Sequence, residues 1–200
     1  RSLRMPLFHA VVRIDHHTAQ LLQFDPTQVL SQTLKAHSHP TKQHGSSVRA
    51  EHEFFGQVCD ALAGITEVLV QAIAGRTHEF TLCNYANGDM VGHTGSLPAA
   101  IKAAQTVDRA LADVRAAVDA VGGILLVTAD HGNVEMMRDP GTGEAHTAHT
   151  VGPVYFVLCG HSGPLRSGGS LRDIAPTLLD LMALPQPAEM TGRSLIGNTA

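Results

Sequence analysis

Two short segments of this 200-residue chain carry aspartate and histidine at spacings suited to holding a metal. In 84-NYANGDMVGHTG-95, Asp89 and His93 stand four residues apart. In 128-TADHGN-133, Asp130 and His131 are adjacent. A third segment, 146-HTAHT-150, adds His146 and His149. A turn needs glycine and asparagine; it does not need a carboxylate and an imidazole at ligand spacing. Carboxylate and imidazole ligands suit Mn²⁺ or Zn²⁺, with oxygen-rich sites favouring the former. Two ions held close together can clamp both oxygens of a phosphoryl displacement. A lone Asp-His pair is more often a cap or a surface hydrogen bond. Three such elements, each at a predicted strand terminus, reverse that preference. Gly92 and Gly132 beside them permit tight backbone turns.

The elements that must position these residues alternate in type. "EFTLCNY" reads as a buried strand leading into the first segment. Residues 97–121 are the clearest helix, with Val107, Leu111, Val114, Val118 and Val121 at helical spacing. Ser96 and Pro98 mark its start and Gly122-Gly123 its end. "ILLVTAD" (124–130) is a continuous apolar run, as expected of a parallel strand buried on both faces, and "PVYFVLCG" (153–160) is another. Residues 170–184 form a helix with Ser170 and Asp173 in capping-box spacing, and Pro185 follows its end. Strand, helix, strand, strand, helix predicts an α/β layered sheet. In open sheets of this kind ligands gather at the carboxyl ends of the strands.

The front of the chain reads differently. "FHAVVRID" (8–15) and "AQLLQFD" (19–25) are β-type runs that predict a hairpin. Residues 36–50 read as a loop. "EHEFFGQVCDALAG" carries a helical stripe at 54, 55, 58 and 62 that ends at Gly64. Residues 66–76 suit either a strand or more helix. The chain holds 13 histidines. His37, His39, His44 and His52 crowd one region, with His16 and His17 upstream; this is either a polar linker or a metal-binding tract.

Composition narrows the function classes. An apolar fraction of 44% with 16% charged residues allows a buried core. A net charge of -4 argues against a general nucleic-acid footprint. Three separated cysteines, Cys59, Cys83 and Cys159, fit reduced thiols in a cytoplasm rather than a disulfide framework. No apolar run is expected to reach the length needed to cross a bilayer, and the N-terminus lacks a signal-peptide pattern. The chain opens on Arg1 rather than Met, which fits a fragment or a processed piece.

"CNYANGDMVGHTG", "TADHGNVEMMRDPGTGEAHTAHT" and "SLRDIAPTLLDLMALPQPAEMTGRSL" closely resemble the C-terminal part of the cofactor-independent (2,3-bisphosphoglycerate-independent) phosphoglycerate mutases of the alkaline phosphatase superfamily. The resemblance runs from about residue 71 to the end. It implies a three-layer alkaline-phosphatase-like fold, present here in part. It also implies exchange of 3-phosphoglycerate and 2-phosphoglycerate in glycolysis, a cytoplasmic location and two bound metals, usually Mn²⁺. Carried over by motif, Asp89, His93 and His149 resemble a complete ligand set for one ion. Asp130 and His131 resemble half the set for the other. His146 matches a position beside the ligands, where it would orient a ligand or a loop.

The same resemblance shows departures. The family's Asp-Gly-Trp-Gly type stretch has no counterpart, and this chain has no tryptophan. The serine that accepts the phosphoryl group has no match; Ser46 and Ser47 in "HGSSVR" stand in another context. The inserted transferase domain with its arginines and the lysine-bearing segment before the "CNY" strand are also missing. Residues 1–70 look instead like the start of bacterial release-factor-like proteins of the translational machinery, which implies ribosome association and a junction near Val70. Two readings follow: a metal-dependent phosphoryl-transfer domain with weak or no mutase turnover, or a non-catalytic truncated or fused chain.

Overall fold

The computed structural model describes residues 10–13 and 47–197. In chain order the described elements are β1 (Ala10–Arg13), α1 (Ser47–Ala74), β2 (Leu82–Asn84), α2 (Asn87–Gly92), α3 (Leu97–Ala120), β3 (Leu125–Thr128) and β4 (Phe156–Cys159). A 3₁₀ turn at Leu171–Asp173 then leads into α4 (Ile174–Leu181). The four strands form one mixed sheet in the order β2-β1-β3-β4. β1 runs parallel to both neighbours, with Val11 beside Leu82 and Leu126. β4 runs antiparallel to β3, with Thr128 opposite Phe156.

The α/β class expected from the sequence is present, with several local differences. The first apolar run of the expected hairpin does form a strand, but β1 lies inside the sheet between β2 and β3. Its expected partner at 19–25, and His16, His17, His37, His39 and His44, lie outside the described residues; His52 lies on α1. The first helix starts at Ser47, inside the stretch read as a loop, and does not stop at Gly64 but continues to Ala74. One helical glycine costs about 1 kcal/mol. The stripe continues beyond it through buried Leu69 and Ile73, and burying each such side chain is worth about 1.5–3 kcal/mol. The packing term wins. The same continuity corrects the expectation about apolar length. Phe55–Ala74 is long and apolar enough, by length and composition, to cross a membrane. Here one face of it packs against α3, with Leu62, Leu69 and Ile73 in the same cluster as Val107, Val114 and Val118.

β4 was expected to be another parallel strand. The chain passes from β3 to β4 through residues 129–155, which contain no helix. A parallel return needs a crossover, usually helical; without one the chain folds back antiparallel. Among the described strands β4 is outermost on its side of the sheet, and Val157 is half-exposed.

Helix ends follow the backbone chemistry of their residues. α3 stops at Gly122 (φ 68), where Gly122 N–H bonds Asp119 C=O and Gly123 N–H bonds Val118 C=O. This is the Schellman pattern. α1 ends in the same way with a non-glycine, Arg76 (φ 50), whose guanidinium donates to Val121 C=O at 3.1 Å. The ends of the two packed helices are thus joined.

Side chains alternate across the pleat. Leu125 joins the cluster with α1 and α3, while Ile124 and Leu126 pack with Leu178, Leu181 and Met182 of the α4 region. α4 is anchored by the predicted capping box: Asp173 Oδ2 accepts Ser170 N–H at 2.9 Å. Asp173 also accepts Arg193 N–H at 2.8 Å and the Arg166 guanidinium at 3.2 Å, pinning the tail 192–195 to the helix. The Arg193 N–H, opposed by burial and helped by Ser170 and Arg166, holds this carboxyl down at about 2. A carboxyl depressed on folding stabilises the native state above its unfolded value of 3.8. That contribution is expected to fade as pH falls from about 4 toward 2. Acid titration of thermal stability should show this slope in the wild type and a flatter one in Asp173→Asn. Loss of the charged hydrogen bonds in that variant should lower stability at neutral pH by about 1.5–3 kcal/mol.

Candidate metal centre

The sheet topology decides where the chemistry sits. β1, β2 and β3 are parallel, so β2 and β3 release the chain at the same end of the sheet. Asp89 and His93 follow β2; Asp130 and His131 follow β3. Because β4 is antiparallel, its beginning lies at that same end, and the segment before it carries His149. A parallel β4 would have begun at the opposite end. The backbone closes the last gap with a bridge: Thr150 N–H donates to Gly132 C=O at 2.9 Å.

α2 is a short helix rather than a loop, so Asp89 and His93 at i and i+4 share one face. Asn87 Nδ2 donates to the Val58 carbonyl at 3.0 Å and ties α2 to α1. Beneath it Val58, Val91, Ala100, Ala103 and Met137 form a separate apolar cluster. Asp89 is buried, with its side chain 2% exposed, while the rings of His93 and His149 stand 38% and 43% exposed above it. The carboxylate is therefore the floor and the imidazoles the rim.

Three ligand atoms converge. Asp89 Oδ1 lies 3.2 Å from His93 Nε2 and 3.0 Å from His149 Nε2, and the two nitrogens are 3.1 Å apart. His93 Nδ1 lies 2.6 Å from the Thr147 carbonyl. A carbonyl can only accept, so Nδ1 carries a proton; a neutral ring would then turn its Nε2 lone pair toward Asp89. With both rings neutral and protonated on Nδ1, three acceptor lone pairs at this spacing would favour a cation among them. Adjacent ligands around an octahedral ion bound at about 2.1 Å stand about 3 Å apart. One carboxylate and two imidazoles thus fit a divalent ion. Among the described residues these three are the group able to hold one.

Asp130 and His131 lie beside this triad rather than in it. The His131 ring stacks on His149, with centroids 3.8 Å apart. His131 Nε2 stands 3.6 Å from Asp130 Oδ1. His146 is held by its backbone N–H on the Met137 carbonyl at 3.1 Å, and its Nε2 has no hydrogen-bond partner among the described residues. The 138–146 excursion is a compact hairpin turn in which Arg138 donates to the Gly143 carbonyl.

Sequence reasoning did not single out Asn133, Glu135 or Thr150. Asn133 Nδ2 donates to Asp89 Oδ1 at 2.8 Å. Glu135 accepts Asn133 N–H at 2.7 Å and the Thr150 hydroxyl, clamping the bridge from below. Burial pushes the Glu135 carboxyl up. The Thr150 hydroxyl, backbone N–H groups and His131 outweigh it and leave it below its usual value. The only available signal was position: all three lie within or next to the quoted motifs.

The model of the metalloenzyme superfamily matches residues 57–186, well over half of the chain. The chain belongs to the metalloenzyme superfamily. Its relatives narrow the picture. It is 63% identical over 128 residues to the 2,3-bisphosphoglycerate-independent phosphoglycerate mutase of Rhodopseudomonas palustris, covering 64% of this chain and 25% of that protein. It is 53% identical over 133 residues to the mutase of Ectopseudomonas mendocina, covering 66% and 26%. A crystal structure of Leishmania mexicana phosphoglycerate mutase at low cobalt concentration superposes with a TM-score of 0.62 at 33% identity, over 72% of this chain and 29% of that one. This superfamily member therefore spans about a quarter of the length of the curated mutases it matches. The resemblance of its front to release-factor-like proteins finds no support among these matches.

The Gly132–Thr150 bridge generates a test. A Cβ on Gly132 would lie 2.7 Å from Glu135 Cδ and overlap the Thr150 hydroxyl. Gly132→Ala should therefore cost about 1–3 kcal/mol by overpacking. Hydrogen exchange should show the Thr150 N–H losing protection in that variant.

Proposed function

We propose that this chain is a divalent-metal-binding, phosphatase-like portion of a phosphoglycerate mutase, with Mn²⁺ as its ion. Asp89, His93 and His149 are the ligands of one site; Asp130 and His131 are half the set of a second; His146 orients the neighbouring loop. The convergence of Asp89 Oδ1, His93 Nε2 and His149 Nε2 to within 3.2 Å of one another carries the reading. A bound divalent ion would supply Lewis-acid stabilisation to a phosphoryl oxygen. The chain's own residues do the rest. Asp89 supplies buried negative charge, the Thr147 carbonyl fixes the tautomer of His93, and the half-exposed imidazole rim leaves an approach for a small phosphorylated substrate such as a phosphoglycerate.

The proposal extends to the fold and origin. Apolar clusters on alternate residues of β3, one with α1 and α3 and one with α4, support a partial three-layer alkaline-phosphatase-like arrangement. A change of origin near residue 70, dividing 1–70 from 71–200, is retained as a proposal about ancestry. Function in cytoplasmic glycolysis rests on the mutase relatives. Mutase turnover by this chain alone is expected to be weak or nil, because the mutases' phosphoryl-accepting serine and transferase domain have no counterpart in the sequence. The second reading is a non-catalytic metal binder with the same ligands.

Calorimetry should detect Mn²⁺ binding by the intact chain and its loss in His149→Ala. No binding by the wild type would remove the proposal. Conversion of 3-phosphoglycerate to 2-phosphoglycerate should be at least 100-fold below that of a full-length mutase, consistent with the loss expected when catalytic groups are absent. Robust turnover would show that another residue replaces the missing serine, and no turnover with intact Mn²⁺ binding would favour the non-catalytic reading.

A further inference from the structure

We infer that Asn133 is a positioning residue for the metal centre, and that Gly92 is a glycine in order to admit it. The inference rests on the metal reading of Asp89. Asn133 lies 44 residues away in sequence, yet its Nδ2 donates to Asp89 Oδ1 at 2.8 Å. That oxygen is the corner of the ligand triangle, 3.0 Å from His149 Nε2 and 3.2 Å from His93 Nε2. A carboxylate oxygen has two lone-pair directions. The amide occupies one and turns the other toward the imidazoles, so the carboxylate presents one defined oxygen rather than rotating.

Two features separate this from ordinary packing. Asn133 is buried, at 5% exposure, and its own Oδ1 has no hydrogen-bond partner among the described residues. Leaving a buried carbonyl unsatisfied is destabilising. The reverse amide orientation would aim oxygen at oxygen across 2.8 Å, so the donor must face Asp89 and the carbonyl bears the cost. Such a cost is found where a function requires it. The second feature is Gly92. It is the last residue of α2, immediately before His93. A Cβ there would lie 2.6 Å from Asn133 Cγ and overlap its Oδ1. The missing Cβ therefore lets the amide close against the end of α2.

Hydrogen-bond partners of metal-ligating carboxylates typically contribute 10–100-fold to metal affinity. The test uses the full 200-residue chain with Mn²⁺ or Co²⁺. Calorimetry gives affinity, the visible spectrum of bound Co²⁺ reports ligand geometry, and metal-free melting reports the fold. Asn133→Ala is expected to weaken binding 10–100-fold and alter the Co²⁺ spectrum. Gly92→Ala, which would stabilise an ordinary helix, is expected to lower the metal-free melting temperature and weaken binding. In the Asn133→Ala background the Gly92→Ala change should lose most of its effect, since the clashing amide is gone. Should Asn133→Ala not fold, Gly92→Ala reads the same contact from the other side. Binding within two-fold of wild type in the variant that folds, with an unchanged Co²⁺ spectrum, overturns the inference while leaving the metal reading intact. No metal binding by the wild type overturns both.

Discussion

The antiparallel pairing of β4 with β3 is the constraint on which the site depends. It reverses the chain so that the segment before β4 begins where β2 and β3 end. The Gly132–Thr150 bridge then extends that pairing past the strand ends and carries His149 to the face of Asp89. Both contacts of His149, with Asp89 and with His93, follow from this backbone geometry. Side-chain chemistry operates only after the ladder has set the register.

Burial and exposure divide the labour at the site. Asp89 lies on a floor supplied by α2, which is tied to α1 through Asn87 and to the 128–135 segment through Asn133. A buried carboxylate is costly unless paired or hydrogen-bonded, and here an amide and two imidazoles surround it. The imidazoles are held from outside: the Thr147 carbonyl fixes His93, and the His131 ring stacks on His149. The rim can thus meet solvent without losing its orientation. The supports of the floor reach back to the same helix pair that forms the main core, so stability of that core and geometry of the site are coupled.

The chain is shorter than the mutases it matches. It spans about a quarter of the mutases, and that quarter contains one compact ligand triangle and one pair beside it. The triangle is local to three segments joined by one ladder. Half-exposed Val157 and exposed Tyr155 lie on or next to the β4 edge.

Element identity was legible where local chemistry decides it. The spacing of Val107, Val114 and Val118 gave α3, Gly122 gave its end, and Ser170 with Asp173 gave the capping box, because each depends on residues within a few positions. The Asp and His types and their i, i+4 spacing gave the ligand candidates for the same reason. Gly64 misled because a local helix preference of about 1 kcal/mol was outweighed by burial against a helix distant in sequence. The direction of β4 was illegible for a related reason: an apolar run is the same in either direction, and only the absence of a crossover decides it. Asn133 and Gly92 show the limit most clearly. Nothing in "TADHGN" or "DMVGH" says that an amide from one will close on a carboxylate from the other. The sequence by itself determined which groups could bind a metal. Tertiary structure alone decided that they meet, because strand direction and long-range packing are properties of the whole sheet and not of any segment in it.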